Sequence, residues 1–246
     1  MENGQWQRAA FDRLRLSGPF GLILNPAQAE PVEARAQLAN KTMTAKAAFT
    51  RAEPDARRRS LIAACVRVLA RAGAAGTSVR AIALEAGVSP GLVNHYFAGV
   101  DALVAAAYAH VEAQVSAALD QALATAGANP RAQLDAYVTA SFTPPVASGE
   151  LLATWIAFWS LVRTQPAIAR QHDEQYARFR SRLETLLAAC GIAPERLRHT
   201  AIAVTAMVDG LWLELSLSPG AFSAAEASAI ARAQLDALIS TSRSAC

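Results

Sequence analysis

The side chains that most often carry chemistry are thinly spread along this chain. His95, His110, His172 and His199 lie far apart, no HExxH or GxSxG motif occurs, and no paired-carboxylate pattern is evident. Cys65, Cys190 and Cys246 have no metal-ligand spacing, and an odd count argues against a disulfide scaffold. The expectation is no catalysis, no metal, no cofactor and a reducing cytoplasm. What remains is recognition. Trp155, Phe158 and Trp159 crowd one stretch, with Tyr137, Phe142, Tyr176, Phe179 and Trp212 available from others. The faces of Trp and Tyr attract a quaternary ammonium through their quadrupoles, at about 0.5 to 2 kcal/mol per contact. Asp209 and Glu214 can balance its charge. Asp209 stands in the apolar run VTAMVDGLWL, where an unpaired carboxylate is costly, so it needs a partner or an opening. The same aromatics also suit a plain helical core, and a capping or salt-bridge role suits Asp209; both alternatives stay open.

A second recognition element lies at Ser78 to Phe97, SVRAIALEAGVSPGLVNHYF. Val79, Ile82 and Ala83 share one helical face, and Gly87 follows where a left-handed stop is wanted. Ser89 caps the next helix, with Pro90 at the first helical position, where its missing N–H costs nothing. Val88, Val93 and Phe97 turn inward. Pro90, Gly91, Leu92, Asn94, His95 and Tyr96 stay on or near the surface. Helix, short turn and helix is the geometry that enters a DNA major groove; an ordinary helical hairpin is the alternative.

The elements that must hold these two sites are helical. The chain has 246 residues, 53 % apolar and 17 % charged, and no uninterrupted apolar run long enough for a membrane span. A net charge of +3 does not by itself imply nucleic acid. Its distribution is more telling: Arg57, Arg58, Arg59, Arg67, Arg71 and Arg80 gather at the helix-turn-helix end, against Glu53 and Asp55. Leu61, Ile62, Cys65, Val68, Leu69 and Ala72 form the stripe of a first helix, broken by Gly73 and Gly76, and Thr77 or Ser78 caps the second. Asp101 caps a long connecting helix to about Ala124. Breakers at Gly127 to Pro130, Pro144 to Gly149, Pro166, Gly191 to Pro194 and Pro219-Gly220 separate the rest. No alternating strand pattern or repeat appears. The fold class is all-α, with about nine helices. Residues 1–50 differ in composition and read as an extension, with Met43 a plausible natural start; 55–107 form the DNA-binding domain with its motif at 78–97; 108–246 form the ligand-binding and dimerisation domain.

The pattern GTSVRAIALEAGVSPGLVNHYF, set between a first helix and a long connecting one, resembles the tetracycline-repressor (TetR) family of bacterial regulators. The segments LLATWIAFWSLVRTQPAIARQHDEQYARFRSRL and AVTAMVDGLWLELSLS resemble the BetI-type branch, whose best-known member answers choline. The resemblance implies that Pro90, Gly91 and Leu92 approach base edges on the helix capped by Ser89, while Thr77, Arg80, Asn94 and Tyr96 contact phosphates or orient it. His95 offers a donor or acceptor. Packing against the long helix is the alternative for Tyr96, and a core role for Leu92. Two departures stand out: Val100 replaces a lysine that many relatives place near the start of the connecting helix, and Asn94 replaces an aromatic. The aromatic cluster and its carboxylate give the expected effector site as Tyr137, Trp155, Phe158, Trp159, Tyr176, Asp209 and Trp212.

The last two helices, about Pro194 to Leu217 and Ser223 to Ile239, have apolar faces wider than one protomer needs. Ala201, Val204, Val208, Leu211 and Leu215 lie on one side, with Ile230, Ala233 and Leu238 on the other helix. The resemblance implies a four-helix interface between two copies, and hence a palindromic operator on double-stranded DNA. The expected partners are that DNA, a second copy and a small-molecule effector, with no membrane. The effector is choline or a related quaternary ammonium; another apolar or aromatic metabolite is the alternative, and a helical protein-binding adaptor is the rival of a different class.

Overall fold

The computed structural model describes the backbone of residues 32–243 and the side chains of residues 54–240. The expectation of an extension over residues 1–50 falls, for residues 1–31, outside the described residues; from Val32 the backbone is helical. The chain divides between Thr50 and Arg51, and the second unit is described by itself. Among the described residues there are nine α-helices and no strand.

Helix α1 (Val32–Gly76) is interrupted at Gly73, whose φ of 65° no side-chain-bearing residue adopts easily. Of its expected stripe, Leu61, Ile62, Cys65, Val68 and Leu69 are buried, and Ala72 is exposed. Helix α2 (Val79–Ala86) opens at Ser78, whose hydroxyl accepts from the Ala81 amide at 3.2 Å, so Ser78 rather than Thr77 is the cap. Thr77 instead donates its hydroxyl to the Gly73 carbonyl at 2.8 Å. At Gly87 the backbone takes φ 65° and ψ 36°, and the Val88 amide returns to the Ala83 carbonyl at 2.9 Å. That turn aims α3 (Pro90–Tyr96), capped by Ser89 through the Leu92 amide at 3.3 Å. Val93 and Phe97 point into the core formed with Leu61, Ile82 and Leu103.

Helix α4 (Val100–Thr125) starts at Gly99, with φ 90° and no side-chain cap. Asp101, expected to cap it, lies in the first turn and accepts from Gln165 Nε2 at 3.1 Å. An acidic group there still favours the helix through its dipole. Five helices follow: α5 (Pro130–Thr139), α6 (Gly149–Leu161), α7 (Pro166–Ala189), α8 (Pro194–Leu217) and α9 (Ala224–Arg243). Helix α7 packs along α8 and α4, and α5 packs on α4, α7 and α9. By length and composition α4 and α8 could each cross a membrane, but here they are core helices: Leu103, Tyr108 and Val111, like Val204, Val208 and Trp212, are buried against neighbours.

The faces of the last two helices differ from expectation. Ala201, Val204, Val208 and Leu215 are buried inside their own protomer, Leu211 is half-buried and Leu238 packs on the core. The reason is that α8 is covered on that side by α6, α7 and α9. The large apolar residues that remain exposed are Ile202, Leu213 and Leu217 on α8, the last 64 % exposed, with Ile230 on α9, and Ala233 of the expected α9 stripe is exposed as well. Ile202, Ala206, Leu213 and Leu217 follow one another on a single helical face.

Candidate functional site

Two sites emerge, at opposite ends of α4. At the first, α3 presents Pro90, Gly91, Asn94 and His95 outward, all exposed, with Leu92 half-buried. Tyr96 is half-buried on the core, its ring meeting that of His95 edge-on at 5.2 Å. A Cβ added at Gly91 would meet only Ser89 Oγ, at 3.9 Å. Nothing inside the protein requires glycine there; what it permits is close approach by something outside.

The arginines around α3 are less available than their number suggests. Arg67 Nε and Arg71 Nη1 both bond Glu85, at 2.7 and 2.9 Å, and hold its carboxyl below the ordinary range. The basic end therefore contains Glu85 besides Glu53 and Asp55, a pairing that depends on α2 lying back along α1. Arg58 lies over the Phe97 ring, 4.7 Å from its centroid. Arg57, Arg59 and Arg80 are exposed.

The second site is a cavity of about 580 Å³ among α4 to α8. Six of the seven expected ligand residues line it: Tyr137, Trp155, Trp159, Tyr176, Asp209 and Trp212. Phe158 does not. It is fully buried and packs on Tyr108 and Trp155, at 4.9 and 5.7 Å between centroids, so it supports the wall from behind. Trp212 is fixed by its indole N–H, which donates to the Ser141 carbonyl at 2.7 Å, and its ring stands 6.3 Å from that of Trp155. Glu214, offered as a second counter-charge, is exposed and lies outside the cavity lining.

Asp209 is the anionic group at this wall. Its Oδ1 accepts from the Tyr176 hydroxyl at 3.0 Å. Burial pushes its carboxyl up to about 6, against which the Tyr176 hydrogen bond and Arg180 pull down. The Tyr176 hydroxyl is itself raised above its ordinary range by burial and by the neighbouring carboxylate. One phenol is thus Asp209's side-chain hydrogen-bond partner, and an ammonium placed in the cavity would favour its ionised form.

Two family models match this chain. The one described as "Bacterial regulatory proteins, tetR family" covers residues 61–107, and "BetI-type transcriptional repressor, C-terminal" covers residues 130–240. The HTH-type transcriptional regulator BetI of Burkholderia thailandensis is 35 % identical over 185 residues, covering 75 % of this chain and 94 % of that protein. The chain belongs to the TetR family, in its BetI-type branch. Among solved structures, a Pseudomonas aeruginosa transcriptional regulator has a TM-score of 0.70 at 40 % identity, over 78 % of this chain and 94 % of its own. A Saccharomonospora viridis regulator crystallised with choline shares the fold, with a TM-score of 0.64 at 19 % identity over 73 % and 95 %.

As a TetR-family protein the chain is a DNA-binding transcriptional repressor with an effector domain, not an enzyme. The residue types at its aromatic wall were readable from sequence. The outer cavity wall was not: Glu112, Ser116 and Asp120 of α4 face Arg178, Ser181 and Arg182 of α7. Their only sequence signal was the i, i+4 spacing of Arg178 and Arg182, which becomes informative once α4 is known to run beside α7.

The Asp209 carboxyl yields a pH signature. Its native value, about 6, lies above the ordinary 3.8, so between those limits the native state holds more protons than the unfolded chain, and stability falls as pH rises through that window. Asp209→Asn, which keeps an acceptor for Tyr176, is expected to flatten this slope. It should raise ligand-free stability at pH 7.5, read as a melting temperature higher by several degrees.

Proposed function

We propose that the protein is a homodimeric repressor that reads a palindromic operator with α3 of each protomer, in the cytoplasm, and releases it when a quaternary ammonium such as choline occupies the cavity. The observation that carries the DNA reading is the open glycine at Gly91, set between the exposed Pro90 and Asn94 on a helix capped by Ser89. A backbone without side chain at that point lets the helix settle against base edges. Pro90 and Leu92 are suited to thymine methyl groups. Asn94 supplies an amide, and Arg57, Arg59 and Arg80 supply charge for phosphates.

The effector reading rests on the aromatic wall closing around one half-buried carboxylate. A quaternary ammonium gains the ring faces of Trp155, Trp159 and Trp212 and neutralises Asp209 in the same step. Coupling follows from α4. Near its start Leu103 and Val104 belong to the core behind α3, and further on Glu112, Val115, Ser116 and Leu119 line the cavity. Between them the Tyr108 hydroxyl donates to Gln175 Oε1 of α7 at 2.6 Å. A ligand that separates α4 from α7 therefore turns the reading head. It acts only to the extent that it binds the released state more tightly than the DNA-bound one.

We place the second copy on the exposed stripe of Ile202, Ala206, Leu213 and Leu217, with Ile230 of α9, expected there from sequence, beside it, in place of the α8 residues that turn out to be buried. Two outcomes test these assignments. Gly91→Ala is expected to keep or raise stability by about 0.5 kcal/mol while weakening binding to the DNA upstream of the chain's own coding sequence about ten- to hundredfold, by fluorescence anisotropy. Ile202→Glu combined with Leu213→Glu is expected to yield a folded monomer by size-exclusion chromatography with light scattering, whereas Val204→Glu, placed in the core, should unfold the protomer.

A further inference from the structure

The proposed cation site fills only one end of the cavity. A choline-sized ion has about seven non-hydrogen atoms, and at about 30 Å³ per water much of the roughly 580 Å³ would be left to solvent. The remaining wall is mixed, with Val115, Leu119 and Phe179 among polar and charged groups. Beyond Tyr176, α7 lines the cavity with Arg178, Ser181, Arg182 and Thr185, and α4 answers with Glu112, Ser116 and Asp120. Arg178 and Arg182 share one helical face, and Arg182 lies about 9 Å along the axis from Tyr176, at about 1.5 Å per residue.

These two arginines are held differently. Glu112 accepts from Arg178 Nη2 at 3.0 Å and from Ser116 Oγ at 3.0 Å, a satisfied arrangement. Arg182 Nη2 stands 3.8 Å from Asp120 Oδ1, beyond hydrogen-bond distance, with both side chains more than half exposed. The Arg182 guanidinium thus brings a planar fork of donors to the cavity wall, ion-paired loosely with Asp120 but with no carboxylate at hydrogen-bond distance. A carboxylate or phosphate has the geometry to take that fork with two parallel bonds.

We infer that the effector is two-ended: an elongated zwitterion whose quaternary ammonium sits against Asp209 and whose oxyanion reaches Arg182, with Arg178 beside it, at the outer end of the cavity. The inference rests on the cation reading above and adds to it the size of the ligand and its second charge. A simple ammonium would satisfy the inner end alone. A zwitterion of matched length satisfies both ends and leaves the protein's net charge unchanged.

The test is calorimetric titration of the full chain with ω-trimethylammonio carboxylates of increasing length, from trimethylammonioacetate to trimethylammonioheptanoate, beside choline and hexyltrimethylammonium, which has the same head and a neutral tail. Affinity is expected to climb with chain length and to exceed that of hexyltrimethylammonium by about tenfold or more once the carboxylate reaches Arg182. The variant carrying Arg178→Gln and Arg182→Gln should lose that advantage yet bind hexyltrimethylammonium as the wild type does, which also shows that it is folded. A wild-type series flat in length, or a neutral tail that binds as tightly as the best carboxylate, overturns the two-ended ligand and leaves the cation reading standing provided choline binds. A double variant that keeps the advantage overturns it as well. Failure of every ammonium compound to bind overturns both readings.

Discussion

A half-buried carboxylate held by one side-chain hydrogen bond, that of Asp209 to Tyr176, is the constraint on which the proposed effector site depends. Burying such a group costs several kcal/mol unless it is neutralised or paired. The structure meets the cost only in part, and its carboxyl rises to about 6 in consequence. Around it the sequence places tryptophan and tyrosine on four helices, a wall whose ring faces favour a cation. The ligand-free protein therefore carries a deficit that, on the proposed reading, a cation would remove, which is what an effector site needs if binding is to shift a population rather than merely occupy a space.

On the proposed reading, helix α4 carries that local deficit to the whole unit. It is a core helix at both ends, contributing Leu103 and Val104 to the reading head and Val115 and Leu119 to the cavity wall. Since packed interiors are close to incompressible, a displacement at one end is felt at the other. Besides apolar packing, the polar links between α4 and α7 among the described residues are Tyr108 to Gln175, Gln171 Nε2 to the Ala105 carbonyl at 3.2 Å, Arg178 to Glu112 and the longer Arg182 to Asp120 contact, with Asp101 held by Gln165 at the cap of α7. Exposed ion pairs contribute little to stability. They are suited to being exchanged for ligand contacts.

Much of this was legible in the sequence because the signals were local. The Gly87 stop, the Ser89 cap with Pro90 behind it and the stripe of Leu61, Ile62, Cys65, Val68 and Leu69 each depend on neighbours within one or two turns, and each marks its element. Readings that needed distant partners fared less well. Glu85 disarms Arg67 and Arg71 only because α2 folds back along α1. Phe158 belongs behind the wall rather than in it, since helical spacing identifies an apolar face but not which of two buried layers it enters. On α8 both sides are apolar, and only the packing of α6, α7 and α9 decides that Val204 faces inward and Leu213 outward. The outer cavity wall was missed because charged residues far apart in sequence look like a solvated surface until two helices bring them together.

The account as a whole stands on the claim that Asp209 receives a cation and thereby loosens the hold on DNA. Its most direct test is release of a fluorescent operator duplex by choline, followed by anisotropy at pH 7.5 and pH 5.0 for the wild type and Asp209→Asn. The account predicts release by the wild type at pH 7.5, a several-fold higher choline requirement at pH 5.0 where the carboxyl is protonated, and operator binding without release in the variant at both. Release by the variant at the wild-type concentration of choline would contradict it.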